Sequence, residues 1–498
     1  MNSAVSLSDR NRLLAVMVAS LFMAILFGLV STTANLILIS FTVALFVGGF
    51  LLSRPIWIVW IVLSSGLLVL GIIPIYDDSL DSKAGWAISL LCFILLSLAF
   101  FKSFTTPDAR KDTPSFIWLL LVFFVYAVLN SFIQCYSAEE FIGGFKRYFQ
   151  LWGVLFALCW IAFDERHIRV WRKFFLIVAL VQLPFVVYEL ITLVPLREGM
   201  IDSFPGMVPI DVVAGTFGSS IYGGGNSGEM STFLVIVLAF LLSQRMHRTL
   251  SVGRFVLLIP WVLAPLFLGE TKVVIVMLPL SFLVLYRREL LARPHYGLVG
   301  LMAGSLLTVC MGYAYMSISK MSMDELITDT LRYNVYETGY GSKLLNRTTV
   351  LTFWANQQGA HDPVSFVFGN GLGSAHQNME GQGGQGGHIE SRYPYYGIGL
   401  TGASTLLWET GVFGCGLLIA VFARAWFIAG RLYRESVNPI VRADANAIQA
   451  ALSLFVFHLF YNSSLLEAVS FQIVFAAVLG YLAWLYRRHV DSMMRNST

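Results

Sequence analysis

Polar positions along this chain are scarce and bunched, and the stretches between them are long enough and apolar enough to cross a bilayer. A spanning helix needs about 20 mostly apolar residues. On that measure the pattern predicts spans near residues 13–30, 34–52, 55–75, 84–101, 115–135, 148–163, 173–194, 229–244, 252–268, 272–286, 297–316, 403–429, 445–463 and 467–486. The expected fold is all-α and polytopic, with about 14 transmembrane helices and a range of about 12 to 14. One interval breaks the rhythm: Ser317 to Leu400 carries no apolar run. The chain therefore divides into a bundle holding the first eleven spans (residues 1–316), a large loop (317–402) and C-terminal spans (403–498).

Local signals refine this map. The runs at 252–268 and 272–286 are short, and Pro260 and Pro265 interrupt the first. They are expected as a broken or re-entrant pair, which is tolerated where protein or a water-filled cavity covers the freed backbone. Leu13 to Val30 follows Arg10 and Arg12 without a small-residue cleavage pattern, so it reads as a retained helix rather than a signal peptide. Inside the loop, Met323–Tyr336 and Leu344–Gln357 are expected as short helices, the second capped by Asn346 or Thr348. The run EGQGGQGGH (Glu380 to His388) has the composition of a flexible hinge.

Composition agrees with the pattern. The chain is 57% hydrophobic and 12% charged, whereas soluble globular proteins carry about 25% charged residues. The net charge of +4 does not point to nucleic acid, because most Lys and Arg lie in short loops. With a cytoplasmic N-terminus, 23 of the 33 Lys and Arg fall on the cytoplasmic side. The other ten are Lys83, Lys146, Arg147, Arg197, Lys272, Lys320, Arg332, Lys343, Arg347 and Arg392, although their loops are much longer. The positive-inside bias then places both termini in the cytoplasm and the large loop outside. The five cysteines, Cys92, Cys135, Cys159, Cys310 and Cys415, lie in or beside apolar runs without metal-ligand spacing, so neither a disulfide framework nor a metal is expected.

The scarcity of outward cations makes each one informative. Lys146 and Arg147 stand in GGFKRYFQL, Lys272 follows Glu270 in LGETKVVIV, and Arg197 and Arg347 complete the set. An ionisable group at a membrane boundary is costly unless paired, solvated or used. A lipid-linked pyrophosphate would use them, since it lies at headgroup depth and matches the guanidinium fork. The same cations would stabilise the leaving group as charge develops on it. The plainer alternative is that Lys146 and Arg147 reach headgroup phosphates and Lys272 pairs only with Glu270. Trp354 and the run Tyr393, Tyr395 and Tyr396 suit stacking on sugar faces, with loop packing as the competing reading. FGNGLGS (Phe368 to Ser374) lacks a βαβ context and reads as a tight turn bringing backbone close to a ligand or a neighbouring segment. GGGNSG (Gly223 to Gly228), with Asn226, opens a span whose exposed N–H groups either meet an anion or are simply capped.

The order of these features resembles the O-antigen ligase and Wzy-type O-antigen/exopolysaccharide polymerase superfamily of bacterial envelope proteins. The residues that carry the likeness are GTFGSSIYGGGNSGE (Gly215 to Glu229), Arg347 with Trp354, FGNGLGS, and WETGVFG (Trp408 to Gly414). Ligase-like members place a His-Asn pair before that Glu, where this chain has LTGAS (Leu400 to Ser404), which favours polymerase. The resemblance implies a GT-C-like glycosyltransferase of the bacterial inner membrane, using a polyprenyl-pyrophosphate glycan without nucleotide sugar, cofactor or obligatory metal. The expected catalytic residues are Arg347, His388 and Glu270, with Glu390 a further candidate base. Arg147, Lys146, Arg197 and Lys272 would hold the pyrophosphate, and Asn226, Trp354 and Tyr395 the glycan. Expected partners are the lipid-linked donor and acceptor, membrane lipid, and flippase and chain-length regulator proteins, with no nucleic acid. Two alternatives stay open: a ligase acting on lipid A core, and a lipid-linked oligosaccharide flippase using intramembrane acids such as Glu189 or Glu467.

Overall fold

The computed structural model describes residues 48–134, 136–204, 207–222, 224–269, 272–319, 343–359, 361–376 and 386–497, with Ser322, Asp324, Thr328, Leu331, Asn334 and Gly339 between them. The chain divides into two compact units, Met1–Trp60 and Ile61–Thr498. Besides a short helix at Pro107–Lys111, the described α-helices in chain order are α1 (Pro55–Tyr76), α2 (Asp78–Thr105), α3 (Ser115–Gln134), α4 (Ala138–Phe149), α5 (Trp152–Trp160), α6 (Glu165–Glu198), α7 (Ser227–Met246) and α8 (Val252–Leu268). After them come α9 (Val274–Ala292), α10 (Pro294–Ser319), α11 (Thr349–Gln358), α12 (Pro363–Phe368), α13 (Gly402–Glu435), α14 (Pro439–Tyr461), α15 (Ser464–Glu467) and α16 (Val469–Ser497). Eight helices, α1, α2, α3, α6, α7, α13, α14 and α16, contain stretches long and apolar enough to cross a membrane, so this is a multi-pass membrane architecture. Strand pairing among the described residues is limited to Ser219–Ser220 with Gly224–Gly225.

Most expected spans coincide with helices, and two differences are informative. The run expected at 148–163 holds the short apolar helix α5 and only the last two residues of the amphipathic α4, with a break at Gln150–Leu151. Within the pair at 252–268 and 272–286 each run is a continuous helix despite its prolines: α8 continues through Pro260 and Pro265, and α9 through Pro279. The span expected at 13–30, most of that at 34–52, most of the helix expected at Met323–Tyr336 and the hinge Glu380–Gln385 lie outside the described residues. In the loop, α11 forms where expected. The Asn346 Oδ1 accepts the N–H groups of Thr348 (3.0 Å) and Thr349 (2.8 Å) and starts the helix.

The loop is joined to the bundle by a break in α13. Gly411 adopts φ 65° and ψ −172° within an otherwise helical run, a backbone region that residues with a Cβ rarely adopt. The break frees carbonyls that water cannot reach, and such groups must find partners in the protein. The glycine turn supplies them. Asn370 donates its N–H and its side-chain amide to the Trp408 carbonyl, both at 2.9 Å, and Gly371 N–H donates to the Glu409 carbonyl at 3.0 Å. From α3, the Tyr126 hydroxyl lies 2.8 Å from the Thr410 carbonyl, and Asn130 Nδ2 donates to the Phe368 carbonyl at 2.8 Å. Gly369, Gly371 and Gly373 all have positive φ, and the turn lies against Ser131 of α3 and Glu140 of α4. FGNGLGS is thus a turn that meets a neighbouring segment. Beneath it, Trp354, Ala375, Ile389 and Ile398 from the loop pack with Trp408 from α13 as one apolar cluster.

A Cβ at Gly411 would lie 2.3 Å from the Val367 carbonyl oxygen, whereas one at Gly416 on the same helix meets nothing within 4 Å. Gly411→Ala is expected to destabilise the chain by about 1–3 kcal/mol. Gly416→Ala should leave it unchanged, and thermal unfolding of both variants in detergent checks this.

Candidate functional site

The first part of the site is built where the loop meets the end of α14. Arg347, between the Asn346 cap and α11, donates from Nε to the Tyr461 carbonyl at 2.6 Å and from Nη1 to Asn334 Oδ1 at 2.9 Å. Its guanidinium carbon lies 4.3 Å from the centre of the Tyr461 ring. Tyr461 ends α14, so its carbonyl has no continuing helical partner and marks the negative end of the helix dipole. A cation is well placed there.

Three helices are tied together one residue further on. Asn462 Nδ2 donates to Glu229 Oε1 on the first turn of α7 at 2.8 Å, and Ser464 Oγ donates to the same oxygen. His458 Nε2 lies 3.8 Å from it. The Asn462 carbonyl accepts the N–H of Gly402 at the start of α13, at 2.9 Å. Along α15, Ser463 Oγ donates to Glu467 Oε2 at 2.9 Å, and His376 Nδ1 from the loop lies 3.6 Å from Glu467 Oε1. Arg147 stands close enough for its charge to act on both Glu467 and Glu409, while its carbonyl accepts from Gln472 at 2.7 Å. Lys343 interacts with Glu467 and Glu390.

The charges in this junction are mutually adjusted. Burial would raise the Glu467 carboxyl, but His376 at 3.6 Å, with the charge of Arg147 and the hydrogen bond from Ser463, holds it below the ordinary carboxylate range. Burial pulls the Lys343 ammonium down, against the opposing influence of Glu467 and Glu390. Burial also pushes Glu390 up, with His376 and Lys343 countering. Two guanidinium groups and an ammonium meeting half-buried acids can bind a polyanion by exchanging internal partners for phosphate oxygens.

A second cationic group lies at the end of α6. The Arg197 side chain is 3% exposed, and its Nε and Nη1 make no hydrogen bond among the described residues. Asp211 is its counter-charge, and Lys272 acts on the same carboxylate, which burial pushes up and the two cations draw down. The adjoining GTF segment (Gly215–Phe217) is buried and held by side chains of α6. Glu189 Oε2 accepts the N–H groups of Ala214 (3.0 Å) and Gly215 (2.8 Å), and Ser219 donates to its Oε1. Gln182 Oε1 accepts the Thr216 N–H at 2.9 Å. Glu189, a candidate for ion coupling on the transport reading, is here a backbone anchor.

Several expected ligands are placed elsewhere. Lys146 takes Trp86 as its neighbour, its ammonium 4.6 Å from the ring centre, because consecutive helical residues face different sides. Asn226 spends its amide on the Phe217 carbonyl at 3.0 Å and ties the GTF turn to α7. Trp354 is buried in the loop core and stacked on Phe366 at 4.8 Å, so no sugar reaches its face. Tyr396 likewise stacks on Phe353, whereas Tyr395 is 73% exposed and open to a ligand. His388 is an anchored residue rather than a solvated one. Its Nδ1 lies 2.7 Å from Glu140 Oε1, its N–H donates to Glu140 Oε2 at 3.1 Å, and its ring stacks on Tyr136. Glu270 lies outside the described residues.

Sequence reasoning assigned no role in the site to Lys343, Glu140, Glu229, His376, Asn462 or Glu467. Glu229 stands three residues after Asn226, in the stretch that carries the resemblance; the run Asn462–Glu467, polar at both ends beside an apolar span, was the signal for Asn462 and Glu467. Compared with protein-family models and with curated proteins, the chain matches none.

Because Glu467 is held low, its contribution to stability is present above the ordinary value of 4.5 and is lost as pH falls through its lower native value. The melting temperature of the full chain in detergent is expected to fall on acidification below that range. Glu467→Gln should flatten part of this acid limb, and an unchanged limb would show that the pair does not support the loop.

Proposed function

We propose that the chain is a glycosyltransferase joining polyprenyl-pyrophosphate-linked oligosaccharide repeats into a polysaccharide. On this reading it sits in a bacterial inner membrane with about 14 spans, both termini cytoplasmic and the large loop periplasmic. The observation that carries the proposal is the seat of Arg347, a loop cation held on the terminal carbonyl and ring of Tyr461 at the mouth of an apolar bundle. A lipid-linked pyrophosphate has the same two-part character: its chain lies among apolar helices and its charge at their ends.

The acceptor hydroxyl attacks the sugar carbon bonded to pyrophosphate, the carbon–oxygen bond breaks, and the lipid pyrophosphate leaves with the bonding electrons. Arg347, Arg147 and Lys343 meet the charge that builds on it. Arg197 and Lys272 supply a second cationic position for the partner lipid. The attacking hydroxyl gives its proton to His388. Glu140 holds Nδ1 and thereby leaves Nε2 as the basic nitrogen. Tyr395 offers an exposed ring to the glycan.

The test is reconstitution of the purified chain with a polyprenyl-pyrophosphate oligosaccharide, with products resolved by size. A ladder of added repeats is expected, and Arg347→Ala should lower the rate by about 100-fold or more without loss of folding. A single transfer to lipid A core would make the protein a ligase. Movement of the oligosaccharide across the bilayer without bond formation would sink the proposal.

A further inference from the structure

At the end of the helices remote from the loop, four arginines cluster, two of them on the ring of one tyrosine. The guanidinium carbon of Arg288 lies 3.5 Å from the centre of the Tyr433 ring, and that of Arg442 lies 5.0 Å from it. Arg287 stands 5.0 Å from the Trp426 ring. A Cβ built at Gly430 would lie 3.8 Å from Arg434 Nη1 and 3.9 Å from Arg288 Nη2, so these two groups are neighbours as well.

Their hydrogen-bond acceptors are neutral. Gln449 Oε1 accepts from Arg288 Nη2 at 2.8 Å and from Arg287, and Asn446 Oδ1 lies 3.5 Å from Arg288 Nη1. Among the described residues none of the four forms an ion pair with a carboxylate. Of the nearby acids, Glu435 pairs with Arg431 and Asp444 with Arg172, while Glu289, next to Arg288, forms no ion pair with any of the four among the described residues. A bias toward cations on one side of a membrane explains how many arginines lie at this end. It does not explain their clustering around Tyr433 and Trp426 with neutral acceptors, where like charges repel.

An anion with several oxygens removes that repulsion, and the guanidinium fork matches phosphate. The depth favours a lipid. Arg287 and Arg288 directly follow the apolar run of α9, and Arg434 and Arg442 flank the turn from α13 to α14. Leu291, Phe427 and Val437, on these same elements, expose large apolar side chains. Basic pockets between membrane helices are suited to anionic headgroups.

We propose that Arg287, Arg288, Arg434 and Arg442 form a binding site for the phosphodiester headgroup of an anionic phospholipid. Arg288 and Arg442, set around Tyr433, provide the forks, and Gln449 and Asn446 keep Arg287 and Arg288 in position. The site is independent of the reaction proposed for the loop end.

The experiment measures retention of phosphatidylglycerol against phosphatidylcholine by the delipidated full chain, using native mass spectrometry. Wild type should prefer phosphatidylglycerol, and Arg442→Gln, an exposed position, should weaken retention about fivefold. Arg288→Gln with Arg442→Gln should weaken it further. Arg431→Gln, at the same end but paired with Glu435, should have no effect. Equal retention of the two lipids by wild type would overturn the lipid assignment. If thermal stabilisation by inorganic phosphate is then seen and is lost in Arg442→Gln, the ligand is a soluble phosphate instead. A phosphatidylglycerol preference unchanged in both arginine variants would overturn the site.

Discussion

The structure depends on one constraint: a helix broken inside an apolar bundle must find partners for the carbonyls it frees. At Gly411 those partners are the N–H groups and the amide of the glycine turn, together with Tyr126 and Asn130 of α3. A solvated loop would be held to the bundle only by weak surface contacts, whereas here detachment would leave buried polar groups unmet, at about 1–3 kcal/mol each. That penalty makes the large loop part of the bundle. The apolar cluster around Trp354 and Trp408, shared between loop and α13, is the packing counterpart of the same joint.

Fixing the turn fixes the charges. His376 follows the turn directly and meets Glu467, while Lys343 and Arg347 stand at the near end of α11. Asn462 links Glu229 on α7 to the start of α13, so the ends of α7, α13 and α14 are set relative to one another before any ligand arrives. A preorganised cationic mouth of this kind suits charge that appears during a reaction, because little reorganisation is needed when it does. The GTF segment is preorganised in the same way, with Glu189 and Gln182 holding its backbone from α6.

Much of the fold was legible in the sequence, because helices in an apolar solvent are marked by length and composition alone. The errors fell where polarity and helix coincide. Residues 138–149 form an amphipathic helix with Arg147 and Lys146 on different sides, a division that only helical phase reveals. The candidate site was legible in its arginines and much less so in their partners. Arg347 stood out because outward cations are few. Glu140, Glu229 and Glu467 reach their places through contacts between residues more than 90 positions apart, which no local pattern encodes. Aromatic residues misled for a related reason: Tyr395 and Tyr396 are neighbours in sequence, yet one is exposed and the other stacks on Phe353.

The central claim is that the junction of loop and bundle receives a lipid-linked pyrophosphate. Hydrogen–deuterium exchange of the full chain in lipid nanodiscs, with and without a polyprenyl pyrophosphate, tests it most directly. The account predicts added protection at residues 343–350, 143–149 and 461–467 together, with α8 to α10 unchanged. Protection confined to other segments, or none at saturating lipid, would contradict it.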